Sequence, residues 1–136
     1  MLLNHLDLQV PDVPATAAFF ERYFGLTIQG NRTSPAIIIL SDGHGFTLVL
    51  QRRRRDDEAY PEGFHCGFLV DDAALVHQLH ARLCADGVAC SDVIENNRGV
   101  MVYIRAPGDI TVEISHRTQA ASPPSARRGV QGCDTR

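Results

Sequence analysis

One stretch of this chain is repeated 60 residues later in altered form, and that repetition limits the architecture more than any other feature. Asn4-His5-Leu6-Asp7-Leu8-Gln9-Val10-Pro11-Asp12 has its counterpart in Phe64-His65-Cys66-Gly67-Phe68-Leu69-Val70-Asp71-Asp72. Each stretch alternates like a strand, ends in Asp, and leads into a helix-like run that stops at glycine. Internal self-similarity of this kind means one supersecondary unit used twice.

The rest of each copy can be read by period. Asp12 is a plausible N-cap with Pro14 in the first turn, Ala17, Phe20 and Phe24 fall at helical spacing, and Gly25 ends the run. In the second copy Asp71 or Asp72 caps, Leu75, Leu79 and Leu83 form the expected buried stripe, and Gly87 ends it. Three short β-like runs follow each helix: about 26–31, 36–40 and 46–51, then about 91–95, 100–105 and 110–115. Turn-forming Ser41-Asp42-Gly43, Asn96-Asn97-Arg98-Gly99 and Pro107-Gly108-Asp109 punctuate them. The expected fold is α+β: two tandem βαβββ units, about 2–53 and 62–116, in a single domain 1–117. Their strands form a curved mixed sheet with the helices on its outer face. The residues from 118 to 136, rich in Ala, Ser, Pro, Gly and Arg, are expected to form a disordered tail.

Strand parity sorts the side chains. Leu6, Leu8 and Val10 share a helix-facing side, which leaves His5, Asp7 and Gln9 facing the cup of the sheet. In the second copy Phe64, Cys66, Phe68 and Val70 face the helix and His65, Gly67 and Leu69 the cup. In the last strand Thr111, Glu113 and Ser115 face the cup. His5, His65 and Glu113 therefore point to one side, although parity does not show that they meet. A lone strand histidine is usually a hydrogen-bonded, half-buried residue, and a lone glutamate usually faces solvent. Two histidines at equivalent repeat positions, with a glutamate set among β-branched residues, are harder to explain that way.

These features resemble the glyoxalase/bleomycin-resistance/dioxygenase family, the vicinal oxygen chelate proteins. The resemblance covers about residues 1–116. It rests on the histidine in the first strand of each copy, the Val-x-Asp that follows, Phe19-Phe20-Glu21-Arg22-Tyr23-Phe24-Gly25-Leu26, and Ala106-Pro107-Gly108-Asp109-Ile110-Thr111-Val112-Glu113-Ile114. It implies that His5, His65 and Glu113 are metal ligands. Two imidazoles and a carboxylate form an open facial set for one divalent ion, Fe, Mn, Zn or Ni, with positions left for substrate and water. It also implies a homodimer with ligands drawn from both chains, and a small-molecule substrate with neighbouring oxygens.

Among family activities a dioxygenase-like one is slightly favoured. Val49 aligns with Glu113 in the other copy, where glyoxalase I enzymes carry a fourth ligand and base, so a lyase or isomerase fits less well. Fosfomycin-modifying thiol transferases carry cationic and hydroxyl groups where this chain has Val93, Asn97 and Met101. Sequestration of an intact ligand, as in bleomycin-resistance proteins, is a further alternative. Tyr103 is the candidate catalytic residue, a hydrogen-bond donor to a bound oxygen. Asp7, Val49, Met101 and Arg105 are candidate substrate contacts, and Met101, Leu69, Val49 and Ile38 are expected to give the cup an apolar lining. His44 and His116 are expected at the surface.

Other functional classes are disfavoured. With 44% hydrophobic and 21% charged residues the composition is that of an ordinary globular protein, and a net charge of −3 argues against nucleic acid as a partner. The basic run Arg52-Arg53-Arg54-Arg55 is followed by Asp56-Asp57-Glu58 and is expected to neutralise itself. No apolar run approaches a membrane span and the N-terminus lacks a leader pattern. Cys66, Cys84, Cys90 and Cys133 show no C-x-x-C spacing; buried free thiols in a cytoplasmic protein are expected.

Overall fold

The computed structural model describes residues 1–118, so the expected tail from 119 onward lies outside the described residues. The element order is β1 (His5–Val10), α1 (Val13–Phe24), β2 (Thr27–Gln29), β3 (Ile37–Ser41), β4 (Thr47–Arg52), β5 (His65–Leu69), α2 (Ala73–Ala85), β6 (Ile94–Asn96), β7 (Gly99–Ala106) and β8 (Ile110–Arg117). This is βαβββ twice. The strands form two four-stranded mixed sheets ordered β1-β4-β3-β2 and β5-β8-β7-β6. In each copy the first strand pairs in parallel with the last, and the remaining pairs are antiparallel.

The helices end where local chemistry dictates. The Asp12 carboxylate accepts from Ala15 N–H at 2.9 Å, and Gly25 closes α1 with φ of 68°, a left-handed conformation glycine adopts without strain. Asp72, rather than Asp71, caps α2, accepting from Ala74 N–H at 2.8 Å. Val13, Thr16, Ala17 and Phe20 bury one face of α1 against the first sheet. In α2 the buried stripe is Val76, Leu79 and Leu83. Leu75, expected in that stripe, is 46% exposed, because the helix turns Val76 onto the sheet in its place.

The two halves share a core. Leu8, Val10 and Phe20 of the first copy cluster with Ala106, Ile110 and Val112 of the second. Phe24 stacks on Phe68 at 4.7 Å between centroids, and Asp86 accepts from Tyr23 Oη at 2.8 Å and from Arg22 at 3.0 Å, which joins the two helices. The β7–β8 turn presses on the end of β1: a Cβ on Gly108 would come within 2.8 Å of Pro11 Cδ. Between the copies, Arg55 forms an ion pair with Asp57 at 2.9 Å, and Arg53 donates to the Glu58 carbonyl at 3.1 Å. Two of the four arginines, Arg53 and Arg55, are thus engaged within their own loop, and only Arg55 is ion-paired there.

Candidate metal centre

Register fixes which side chains share the face away from the helices. In the second sheet His65 is aligned with Thr111, Gly67 with Glu113 and Leu69 with Ser115; across β7, Tyr103 is opposite Glu113 and Arg105 opposite Thr111. His65, Glu113, Tyr103, Arg105 and Met101 therefore lie on one face. In the first sheet the corresponding face carries His5, Asp7 and Gln9, aligned with Thr47, Val49 and Gln51. Ile37 and Ile39 belong to it as well. Ile38 does not: it is aligned with Leu50, is 2% exposed and sits in the core. The expectation that it lines the cup is corrected by one residue.

His65 and Glu113 are brought together. His65 Nε2 lies 3.5 Å from Glu113 Oε2. The other ring nitrogen, Nδ1, is 3.0 Å from the Gly63 carbonyl. A carbonyl only accepts, so Nδ1 donates that hydrogen bond and Nε2 is the ring nitrogen left facing the carboxylate. A second hydrogen bond of this kind is how metal-binding imidazoles are oriented. Nitrogen and oxygen donors held at ~2.0–2.1 Å from one ion stand about 2.9 Å apart in an octahedral set and about 3.4 Å apart in a tetrahedral one, so a spacing of 3.5 Å needs little or no movement to put both donors on one ion. The donor chemistry, neutral imidazole and carboxylate, fits as well.

Gly67 makes room beside the glutamate. A Cβ there would meet the Glu113 carbonyl oxygen at 2.8 Å and its Cβ at 3.0 Å. Tyr103 stands edge-on to the His65 ring at 5.8 Å between centroids. Burial, and after it the nearby Glu113 carboxylate, hold the Tyr103 phenol above its ordinary pKa, so it stays protonated as a donor. Its hydroxyl also contacts Met101 Sδ at 3.8 Å.

His5 is exposed at the start of β1 and does not join this pair within one chain. Among the described residues, the group of three His, Cys, Asp or Glu donors within 4.8 Å of one another is His80, Cys84 and Cys90. Asp7 is engaged by amides, accepting from Gln9 Nε2 at 3.0 Å and from Gln51 Nε2. Arg105 is exposed and donates to the Asp109 carbonyl at 3.0 Å; Val49 and Met101 are 6% and 7% exposed. A cleft of about 380 Å³ between the copies is lined by Gln9, Arg53, Tyr60, Phe64, Arg105 and Thr111 among others. It adjoins the His65–Thr111 row without including the two donors. His116, expected at the surface, is half-buried and fixed to the Val70 carbonyl at 3.1 Å, whereas His44 is exposed in a turn.

The sequence model of the Glyoxalase/Bleomycin resistance protein/Dioxygenase superfamily matches residues 2–114. This chain belongs to that superfamily. A possible glyoxalase from Bacillus cereus is 35% identical, with a TM-score of 0.75 over 85% of this chain and 98% of that one. A lactoylglutathione lyase from Agrobacterium tumefaciens (23% identity, TM-score 0.68, 85% and 92% covered) shares the fold. So does the fosfomycin resistance protein FosX from Listeria monocytogenes (18%, 0.71, 87% and 94%). None of the curated proteins matches the sequence. Superfamily members typically use a divalent metal and are mostly enzymes. No helix among the described residues is long and apolar enough to cross a membrane.

Parity had placed His65, Glu113 and Tyr103 on one face. It missed Gly63, whose carbonyl fixes the histidine tautomer, and Gly67, whose lack of a side chain admits the glutamate. The available signal was two glycines flanking a strand histidine, one on each side at a spacing of two.

Proposed function

We propose that this chain is a metal-dependent enzyme of the superfamily, binding a small organic substrate through two neighbouring oxygens at one divalent ion. His65 and Glu113 of one chain, with His5 of a second copy, would hold the ion. The observation that carries this reading is the oriented pair: His65 Nε2 at 3.5 Å from Glu113 Oε2, with Nδ1 tied to Gly63. Two donors form a weak site on their own, and the third candidate of matching parity sits on the other half of the repeat.

Exposed apolar side chains support a second copy. Ile37, Ile39, Leu69 and Ile94, 38–65% exposed, all lie on the cup-side face by register. Apolar residues gathered on the same face as the ligands favour a covering partner. When bound, the ion would act as Lewis acid and template for the substrate oxygens. Tyr103 would donate its retained proton as a hydrogen bond to substrate, and Arg105 would offer charge at the rim. Met101 and Val49 would supply apolar walls, and Asp7 would fix a polar group through its amide-bound carboxylate.

Dioxygenase-like chemistry is slightly favoured over glyoxalase-like isomerisation or thiol transfer. Three protein ligands leave several positions free, and Val49 offers no carboxylate where a fourth ligand and base would stand. The test is elemental analysis of untagged protein and of Glu113→Gln. The variant should lose one equivalent of Fe, Mn, Zn or Ni per chain together with any turnover; equal loading and turnover in the two proteins would overturn the proposal. Iron as the metal lost in Glu113→Gln favours the oxygenase reading, and zinc or nickel as the metal lost favours the lyase reading.

A further inference from the structure

Away from the cup, on the helix side of the second sheet, lies a cluster for which the proposed chemistry has no use. His80 and Cys84 stand one turn apart on α2, and Cys90 lies on the segment that leaves the helix. Cys84 Sγ is 3.5 Å from His80 Nε2 and 3.9 Å from Cys90 Sγ, and the three donor atoms all lie within 4.8 Å of one another. All three residues retain access to solvent: Cys84 is exposed, His80 and Cys90 half-buried. The three described cysteines, Cys66, Cys84 and Cys90, are free thiols.

These separations have a chemical meaning. In a tetrahedral site with sulfur at ~2.3 Å and nitrogen at ~2.0–2.1 Å, two sulfurs stand about 3.8 Å apart and a sulfur and nitrogen about 3.6 Å apart. The observed 3.9 Å and 3.5 Å are close to both values. The pairing of i and i+4 on a helix holds two donors on one face, and the third arrives on a fixed strand-like segment. That segment is anchored to β7: Ser91 N–H donates to the Tyr103 carbonyl at 2.8 Å, Arg105 N–H to the Ala89 carbonyl at 2.9 Å, and Cys90 is in a bridge with Ile104.

We propose that His80, Cys84 and Cys90 form a second metal site, selective for a thiophilic divalent cation of the zinc type. Water completes the fourth position on the exposed side. Both thiols release their protons to solvent as the ion binds, and the imidazole binds as the neutral ligand. The ion clamps the last turn of α2 to the edge of β7, on the sheet face opposite the cup. Two thiolates and one imidazole set this site apart from the proposed cup site, whose nitrogen and oxygen donors suit a harder ion.

The test uses full-length, untagged protein, fully reduced and stripped of metal, titrated with Co(II) and then Zn(II). A thiolate-to-cobalt charge-transfer band should grow to one equivalent per chain and be bleached by Zn(II). It should vanish in Cys84→Ser and Cys90→Ser and persist in Glu113→Gln. Zn(II) should also raise the melting temperature of Glu113→Gln, and that rise should be lost when Cys84→Ser is added to it. Cys84 is exposed, so serine there leaves the core intact; His80→Gln, with a weakened or lost band, provides an independent check. No band in wild type whose thiols titrate as free overturns the proposal, as does a band that survives in Cys84→Ser. Because the two sites are read by different variants, failure here leaves the cup proposal standing, and the reverse.

Discussion

Gly67 shows how little space the candidate centre allows. A methyl group at this position would lie 2.8 Å from a backbone oxygen and 3.0 Å from the Glu113 Cβ, neither of which is a flexible side-chain end. Either β5 or β8 would have to shift, and the His65–Glu113 spacing would change with it. Gly67→Ala should therefore leave the protein folded while weakening metal binding about 10–100-fold, the range seen when groups that orient ligands are altered. Measured by competition with a chromophoric chelator, an unchanged affinity would show that the Glu113 position tolerates displacement. Tyr103 is a different case. Its phenol is kept protonated by burial and by the neighbouring carboxylate, so its usefulness lies in donating a hydrogen bond rather than in accepting a proton.

Single elements show which parts of the sequence could be read. Phe20 is 1% exposed at the centre of the α1 face, as its helical spacing with Ala17 implies. Phe20→Ala should cost about 3–5 kcal/mol in a denaturant melt, since the cavity would open in the core that joins both copies; a loss well below this would mean that the core collapses around the gap. In the β3–β4 turn the Asp42 carboxylate accepts from His44 N–H at 2.7 Å and Phe46 N–H at 2.9 Å, and these donors hold its pKa below the usual carboxylate value. A depressed folded-state pKa contributes stability that is present above ~3.9, the ordinary carboxylate value, and is lost as pH falls through the folded value. Asp42→Asn keeps an acceptor and removes the titration, so its melting temperature should fall less steeply below about pH 4 than that of wild type. Strand parity succeeded where polar and apolar residues alternate, as in β1 and β8. It failed in β3, because Ile37-Ile38-Ile39-Leu40 carries no alternation to read, and only pairing with β4 showed that Ile38 faces the helix. In α2, Leu75 and Val76 are both apolar, and the sequence alone gave no means of choosing the buried one. The His80–Cys84–Cys90 cluster escaped because its three donors are spread over a helix and a bridge, outside any familiar cysteine spacing.

At the scale of the whole molecule, the donors divide two and one between the halves of the repeat. If the third donor comes from a second copy, two defective chains can repair one another. Mixing His5→Ala with Glu113→Gln protein under exchange conditions should produce hybrid dimers in which one of two centres is intact. Half of the dimers being hybrid, turnover and the metal equivalent that Glu113→Gln loses should return to about a quarter of the native level. Recovery no greater than that of either variant alone would mean that the centre is built within one chain.

Sheet order has one more result. β1 and β5, which carry the two histidines, are both edge strands, each with one row of backbone amides and carbonyls not taken up by its own sheet. Such a margin invites foreign strands as readily as rightful ones. An ion that draws the two histidine-bearing strands toward a common point would also protect those margins. Chelation should therefore make the solution cloudy on gentle warming, well before the helices melt.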